Sequence, residues 1–216
     1  MAQVNTNAEA HKMLQAAHNR AYRYPQDFTG FKAVLHYSTD ERNYEGNIAI
    51  QSPNDIKLEM AGEEGELKTL RHEITSLSGH RWYAPYSAGD GRYTLSLDGN
   101  AEHPLGQLVI FDNDPFKSSY RIKDGSVAQI NRHVGTTRFT IYVQEHVGVE
   151  GGHTLTSQFT VAFWDTEQKR LTRTLVYTDR YVPVQCYHLP ASRRMIAYDD
   201  EGVSTHLIAF SAHELM

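Results

Sequence analysis

Apolar and polar side chains alternate with a period of two along most of this chain, from about Phe31 almost to the C-terminus. The clearest run covers residues 157–164, where Phe159, Val161 and Phe163 fall on one side and Thr160 and Ala162 on the other. A period of two means that one face of a sheet meets a core while the other meets water or a cavity. Runs of this kind predict strands at residues 32–38, 43–52, 56–60, 92–97, 106–111, 118–123, 126–132, 136–146, 154–164, 170–182 and 203–210. Turn chemistry separates them: Ser52-Pro53-Asn54-Asp55, the glycine-rich residues 148–152, and Asp124-Gly125, the strongest hairpin signal in the chain. So many consecutive antiparallel strands must curl or close.

Two segments switch to a helical period. In residues 6–23, Ala10, Met13, Leu14, Ala17 and Ala21 share one stripe, Asn5 or Thr6 caps the start, and Pro25 ends the run. In residues 63–78, Leu67, Leu70, Ile74 and Leu77 form the stripe. Glu63, Glu64 and Glu66 sit in the first turn of that helix, where the dipole favours anions, and Gly79 is a candidate cap at its end. The expected fold is therefore mainly β, in the α+β class. A curled antiparallel sheet forms a barrel or half-barrel, with an N-terminal helix and one inserted helix that plugs or flanks it. Residues 1–216 read as a single β-barrel-like domain without repeats or linkers.

Composition narrows the function classes. A chain of 216 residues, 40% hydrophobic and 22% charged, is a folded globular protein that needs no covalent staples. Its net charge of −5 argues against a nucleic-acid partner, which needs a basic face. Cys186 is the single cysteine, so no intramolecular disulfide forms. The polar N-terminus shows no apolar stretch of the secretory kind, as would also hold for a mature form whose targeting segment has been removed, and no stretch approaches the roughly 20 apolar residues of a membrane span. The expected location is cytoplasmic, or peripheral to a membrane.

No motif specifies a reaction. His11 and His18 share a helix face, but two imidazoles without a third ligand make no metal site. Asp112-Asn113-Asp114, Asp199-Asp200-Glu201-Gly202 and Gly89-Asp90-Gly91 read as turns rather than cation or phosphate loops. Cys186 and His188 would share a strand face as a nucleophile pair, but a buried inert thiol is the simpler reading. Neither catalytic residues, a metal nor a cofactor is expected. Strand parity turns Arg138 and Arg121 towards solvent, away from Phe139, Ile141 and Val143 and from Tyr120 and Ile122. Aromatic residues favour either a solid core or an apolar cavity. Candidate ligand contacts are Trp82, Tyr83, Phe139, Phe159 and Phe163, with His80, Arg81 and His103 as the polar groups beside them.

Several stretches together carry a resemblance: Phe28-Thr29-Gly30-Phe31-Lys32-Ala33, His80-Arg81, His103-Pro104-Leu105-Gly106, Ser118-Ser119-Tyr120-Arg121 and residues 132–139. The chain resembles a domain-of-unknown-function family of about this length from cyanobacteria and chloroplasts. That resemblance implies a photosynthetic lineage and no mechanism. The order of elements also looks like the lipoprotein-carrier fold of LolA and LolB, which implies a half-barrel wrapped around inserted helices and a greasy cavity. This chain departs from those periplasmic carriers in having neither a signal peptide nor a lipobox cysteine.

Three functions follow as expectations. The first is a non-enzymatic protein that holds an apolar small molecule, a lipid or pigment. The second is an assembly or interaction factor whose solid barrel docks a protein partner. The third is a small-molecule enzyme using His80, His103 or His133 at the barrel mouth as general base. The sequence leaves the oligomeric state open.

Overall fold

The computed structural model describes residues 6–99 and 101–216. Its elements in chain order are α1 (Thr6–Arg20), β1 (Phe31–Ser38), β2 (Asn43–Ser52), β3 (Asp55–Glu59), α2 (Glu64–Gly79), β4 (Leu95–Asp98), β5 (Gln107–Phe111), β6 (Ser119–Lys123), β7 (Ser126–Val134), β8 (Thr137–Gly148), β9 (Thr154–Asp165), β10 (Arg170–Val184), β11 (Tyr187–Asp199) and β12 (Gly202–Leu215). The strands hydrogen-bond in the order β3-β2-β1-β12-β11-β10-β9-β8-β7-β6-β5-β4. The order ends on β3 and β4 and does not return on itself. The protein is thus mainly β with two helices, and its antiparallel sheet is open rather than a closed barrel.

Most expected elements stand within a few residues of their expected bounds. The cap expected for α1 at Asn5 or Thr6 lies outside the described residues and side chains. The helix stops at Arg20, well before Pro25. Its chain leaves the helix because the Tyr22 N–H donates to the Thr154 carbonyl at 2.9 Å, an alternative to the next helical bond. Gly79 falls inside α2, and His80 takes the capping position. The Asp124-Gly125 hairpin has both residues at positive φ, +50° and +71°, the backbone that a tight two-residue hairpin needs.

Two differences are larger. β11 falls in a stretch where no strand was expected. Pro190 and the pair Arg193-Arg194 interrupt its alternation, and Leu189 and Pro190 are both buried. A proline argues against a central strand in a sequence. Here its carbonyl accepts a bond from His213 Nε2 at 2.9 Å. β12 also runs five residues beyond its expected end at residue 210. Its register against β1 skips between Lys32 and Val34, and Ala212 sits there at φ +49°. A bulge shifts side-chain parity, and so it hid the rest of the strand.

The residues group into two compact units. One takes in the stretch ending at Tyr22, then Ala84–Val176 and Tyr198–Glu201. Its core joins Ala10, Leu14 and Ala17 of α1 to Leu95, Val109, Phe111, Tyr120 and Ile122 of β4–β6. The small alanines let the helix lie close to the sheet, while Leu14 fills the space between strands. The Asn7 side chain accepts the Leu95 N–H at 2.9 Å and fixes the helix at the edge strand.

The other unit takes in Arg23–Tyr83, Tyr177–Ala197 and Gly202–Met216. Phe31, Ala33, Leu35 and Tyr37 alternate along one buried face of β1. Their cross-strand partners are Ile50 and Ile48 of β2, and Phe210 and Ile208 of β12. In α2, Leu70, Ile74 and Leu77 are buried, as the helical stripe requires. Its first turn is tied to the β1–β2 hairpin, where Glu66 accepts bonds from Thr39 and the Tyr44 hydroxyl.

Candidate functional site

In the unit that holds α1, the helix covers only part of the apolar sheet face. Strands β8 and β9 continue that face as a cross-strand ladder: Phe139 opposite Phe163, Ile141 opposite Val161, and Val143 opposite Phe159. The Phe139 and Phe163 rings lie 5.9 Å apart. Of these six side chains Val161 is buried, and the other five stay half-buried. A packed core would remove such residues from water almost completely.

The ladder continues on β7, where Ile130 pairs with Ile141 and Arg132 with Phe139. Arg132 therefore stands on the apolar face. Its Nη2 donates to the Tyr120 hydroxyl at 2.8 Å, and its Nε is buried without a hydrogen-bond partner among the described residues. Burial pushes the Tyr120 phenol up to about 12, so it stays a neutral hydroxyl. Burial alone would lower the Arg132 pKa. Tyr120 and the carboxylates of Asp90 and Asp114 outweigh it and raise the value instead. The site combines a wide apolar surface with one fixed cation and no nucleophile or general base in the ladder.

Phe139, Phe159 and Phe163, three of the eight expected contacts, are thus brought together. Four others belong to the second unit. There Trp82 packs on Tyr24 and Phe28, with ring centroids 5.2 Å and 5.4 Å away, and Phe28 packs on Tyr187 at 4.7 Å. Arg81 lies over the Tyr181 ring at 5.2 Å and donates to its hydroxyl at 2.5 Å. Tyr83 is 50% exposed, and His80 is exposed at the end of α2. His103 sits between β4 and β5, where its Nδ1 accepts the Leu105 N–H at 3.1 Å. It serves its own turn.

Other sequence features take structural places. His11 bonds the Tyr86 hydroxyl at 2.8 Å, and His18 Nε2 meets the Ala84 carbonyl at 3.0 Å, so both pin α1 to the segment before β4. Asp114 is buried in the turn after β5 and accepts the Ser118 N–H at 3.0 Å. Burial would raise its carboxyl, but the bonds from Ser118 and Phe116 and the charge of Arg132 bring it below the usual range. Arg138 is exposed as parity required, and Arg121 bonds the Gly106 carbonyl at 3.0 Å from the face opposite Tyr120. Cys186 is exposed in the turn between β10 and β11, not buried within a strand, so the expectation of an inert core thiol is corrected. Among the described residues no group of three or more His, Cys, Asp or Glu could hold a metal. No helix among them is long and apolar enough to cross a membrane.

A polar cluster in the second unit escaped the sequence reading. Arg193 of β11, itself 3% exposed, donates from Nε and Nη2 to the two oxygens of Asp179 in β10, both at 2.8 Å. Its Nη1 reaches Glu73 of α2 at 3.2 Å, and Tyr177 donates to the same carboxylate at 3.1 Å. Burial would lower the Arg193 pKa, but the paired carboxylates raise it instead, so the cation is permanent. This cluster ties α2 to two strands. A further groove of about 500 Å³ lies along β1, β2, β3 and β12, lined by Lys32, Lys57, Glu59 and Glu214 among others. Its charges are mixed and converge on no one point.

Fold and site together define a class: a two-helix, open antiparallel-sheet protein with a partly uncovered apolar face. Within that class the chain belongs to the DUF3386 family, described as a protein of unknown function, whose profile matches residues 5–216. No curated protein matches the chain. Among solved structures it is similar to a LolA superfamily protein from Nitrosomonas europaea, at 11% identity over 96% of this chain and 93% of that one, with a TM-score of 0.30. A domain assigned to an outer membrane lipoprotein-sorting protein from Vibrio parahaemolyticus matches at 8% identity over 97% and 93%, with a TM-score of 0.35. A DUF1329 family protein from Desulfovibrio piger matches at 9% identity over 98% and 94%, with a TM-score of 0.30.

Proposed function

We propose that this protein is a non-enzymatic binding protein that holds an apolar small molecule, a lipid or pigment, against the β8–β9 ladder. The observation that carries this reading is the half-buried row Phe139, Ile141, Val143, Phe159 and Phe163 on the same face as the helix-covered core. A sheet face left partly wet by its own helix gains free energy when a ligand removes it from water. Trp82, Tyr83, His80 and Arg81 belong to the other unit, so as ligand contacts they, like His103, stand as a separate proposal from the ladder. We also retain a photosynthetic host, a location in the cytoplasm or at a membrane surface, and a single domain over residues 1–216, because β10 and β11 each contribute residues to both units.

The partner-docking alternative needs exposed apolar residues on α1 or around residues 82–86. Only Tyr83 is an exposed large apolar residue there among those described, and one side chain makes no patch.

The test is a titration with a fluorescent polyene fatty acid. Saturable binding is expected, and Phe139→Ala and Phe163→Ala should each weaken it roughly tenfold by removing apolar contact area. Thermal melts identify variants that fold. Absence of saturable binding, or affinity unchanged in both folded variants, would contradict the proposal.

A further inference from the structure

The face opposite the apolar ladder carries a second arrangement, built from residues of β6, β7 and β8 in the first unit. Register places Ser119 beside Asn131, Asn131 beside Thr140, and His133 beside Arg138. The His133 N–H donates to the Phe116 carbonyl at 2.7 Å, which brings the neighbouring Lys117 to the same end of the strands. The result is a groove of about 460 Å³ in which Lys117, His133 and Arg138 form one row and Ser119, Asn131 and Thr140 the next.

The charges in this groove are all of one sign. No Asp or Glu lines it. Neither Lys117 nor Arg138 has an ion-pair partner among the described residues. Like charges held close together are unfavourable unless something neutralises them, and Lys117 and Arg138 are two cations at one end of these strands. The His133 Nε2 is buried and without a hydrogen-bond partner among the described residues.

The hydrogen bonds of the second row leave donors for a ligand. Asn131 Nδ2 donates to Ser119 Oγ at 3.2 Å, and the Thr140 hydroxyl donates to Asn131 Oδ1 at 2.8 Å. Ser119 therefore accepts from Asn131 and keeps its own O–H. Together with the lysine ammonium, the guanidinium and the imidazole, the groove presents donors to a ligand bearing acceptors and negative charge.

We propose that this groove binds the phosphoryl group of a small molecule, independently of the apolar face. Two permanent cations match a dianion better than a monocarboxylate, and the planar arginine fork fits phosphate oxygens. The volume leaves room for an organic group on the ester. Such a phosphoryl group has two sources, a soluble phosphate ester or a phospholipid headgroup.

Isothermal titration at low salt with inorganic phosphate and with glycerol 3-phosphate forms one arm, and co-sedimentation with vesicles of phosphatidic acid against phosphatidylcholine forms the other. Saturable binding is expected in at least one arm, and the arm that responds names the source. Arg138→Gln and Lys117→Gln, both exposed positions, should each weaken it about tenfold through loss of a charge-assisted bond. Lys57→Gln, in the other unit, should leave it unchanged. No binding in either arm would overturn the proposal. So would affinity unmoved by both groove variants, or an equal loss in Lys57→Gln, which would mark a net-charge effect. If one groove variant fails to melt like the parent, the other carries the test.

Discussion

Arg193 shows how much a single residue can fix and how visible it was. In β11 it shares strand parity with Leu189, Met195 and Ala197, all of them buried. In β10, Asp179 shares parity with the buried Leu175 and Tyr177. Glu73 falls three residues after Leu70 and four before Leu77, on the buried stripe of α2. Each sequence run therefore carried a charge among the apolar positions that are buried. Three such charges of compensating sign were the signal for a buried cluster, and it was missed because no strand had been assigned around Arg193. Removing the cation leaves two carboxylates without their partner in a dry setting, so Arg193→Leu should cost about 3–5 kcal/mol. Urea denaturation checks this, and a loss within 1 kcal/mol would show that the cluster contributes little to holding the fold.

At the scale of elements, the pattern spoke most clearly where one face is dry and the other wet. β2 was expected at its observed bounds, and both β8 and β9 within two residues of theirs. The parity of Phe139, Phe159 and Phe163 told which side chains would stand together, since register follows from that alternation. β11 and the end of β12 stayed hidden behind a proline, an arginine pair and a bulge, three devices that break periodicity without breaking the ladder. The partners of Trp82 and Arg81 were not legible either, because contacts between aromatic residues far apart in the chain leave no local spacing. For α1, the stripe Ala10, Leu14 and Ala17 was legible, and so was its burial on a sheet. Leu14 is 2% exposed, so Leu14→Ala should destabilise the protein by about 2–5 kcal/mol through the cavity it opens. A thermal melt that moves by less than a degree would show that the helix is not anchored there.

For the whole molecule, the alternating pattern announced an antiparallel sheet, yet it could not say whether the sheet closes. Closure depends on whether the two end strands pair, and alternation within a strand says nothing of which strand lies beside it. The core under α1 joins β4–β6, and the β8–β9 ladder beyond it remains half-buried. The two faces of that region are chemically distinct, one apolar with a single arginine and the other lined by hydroxyls, amides and cations. The proposed ligand carriage rests on the apolar face. Native mass spectrometry of the protein as purified from cells, beside a denaturing run of the same sample, is the test. A mass excess that vanishes on denaturation, and that shrinks in Phe139→Ala and Phe163→Ala, is the expected result. A native mass equal to that of the bare chain would contradict a carried ligand.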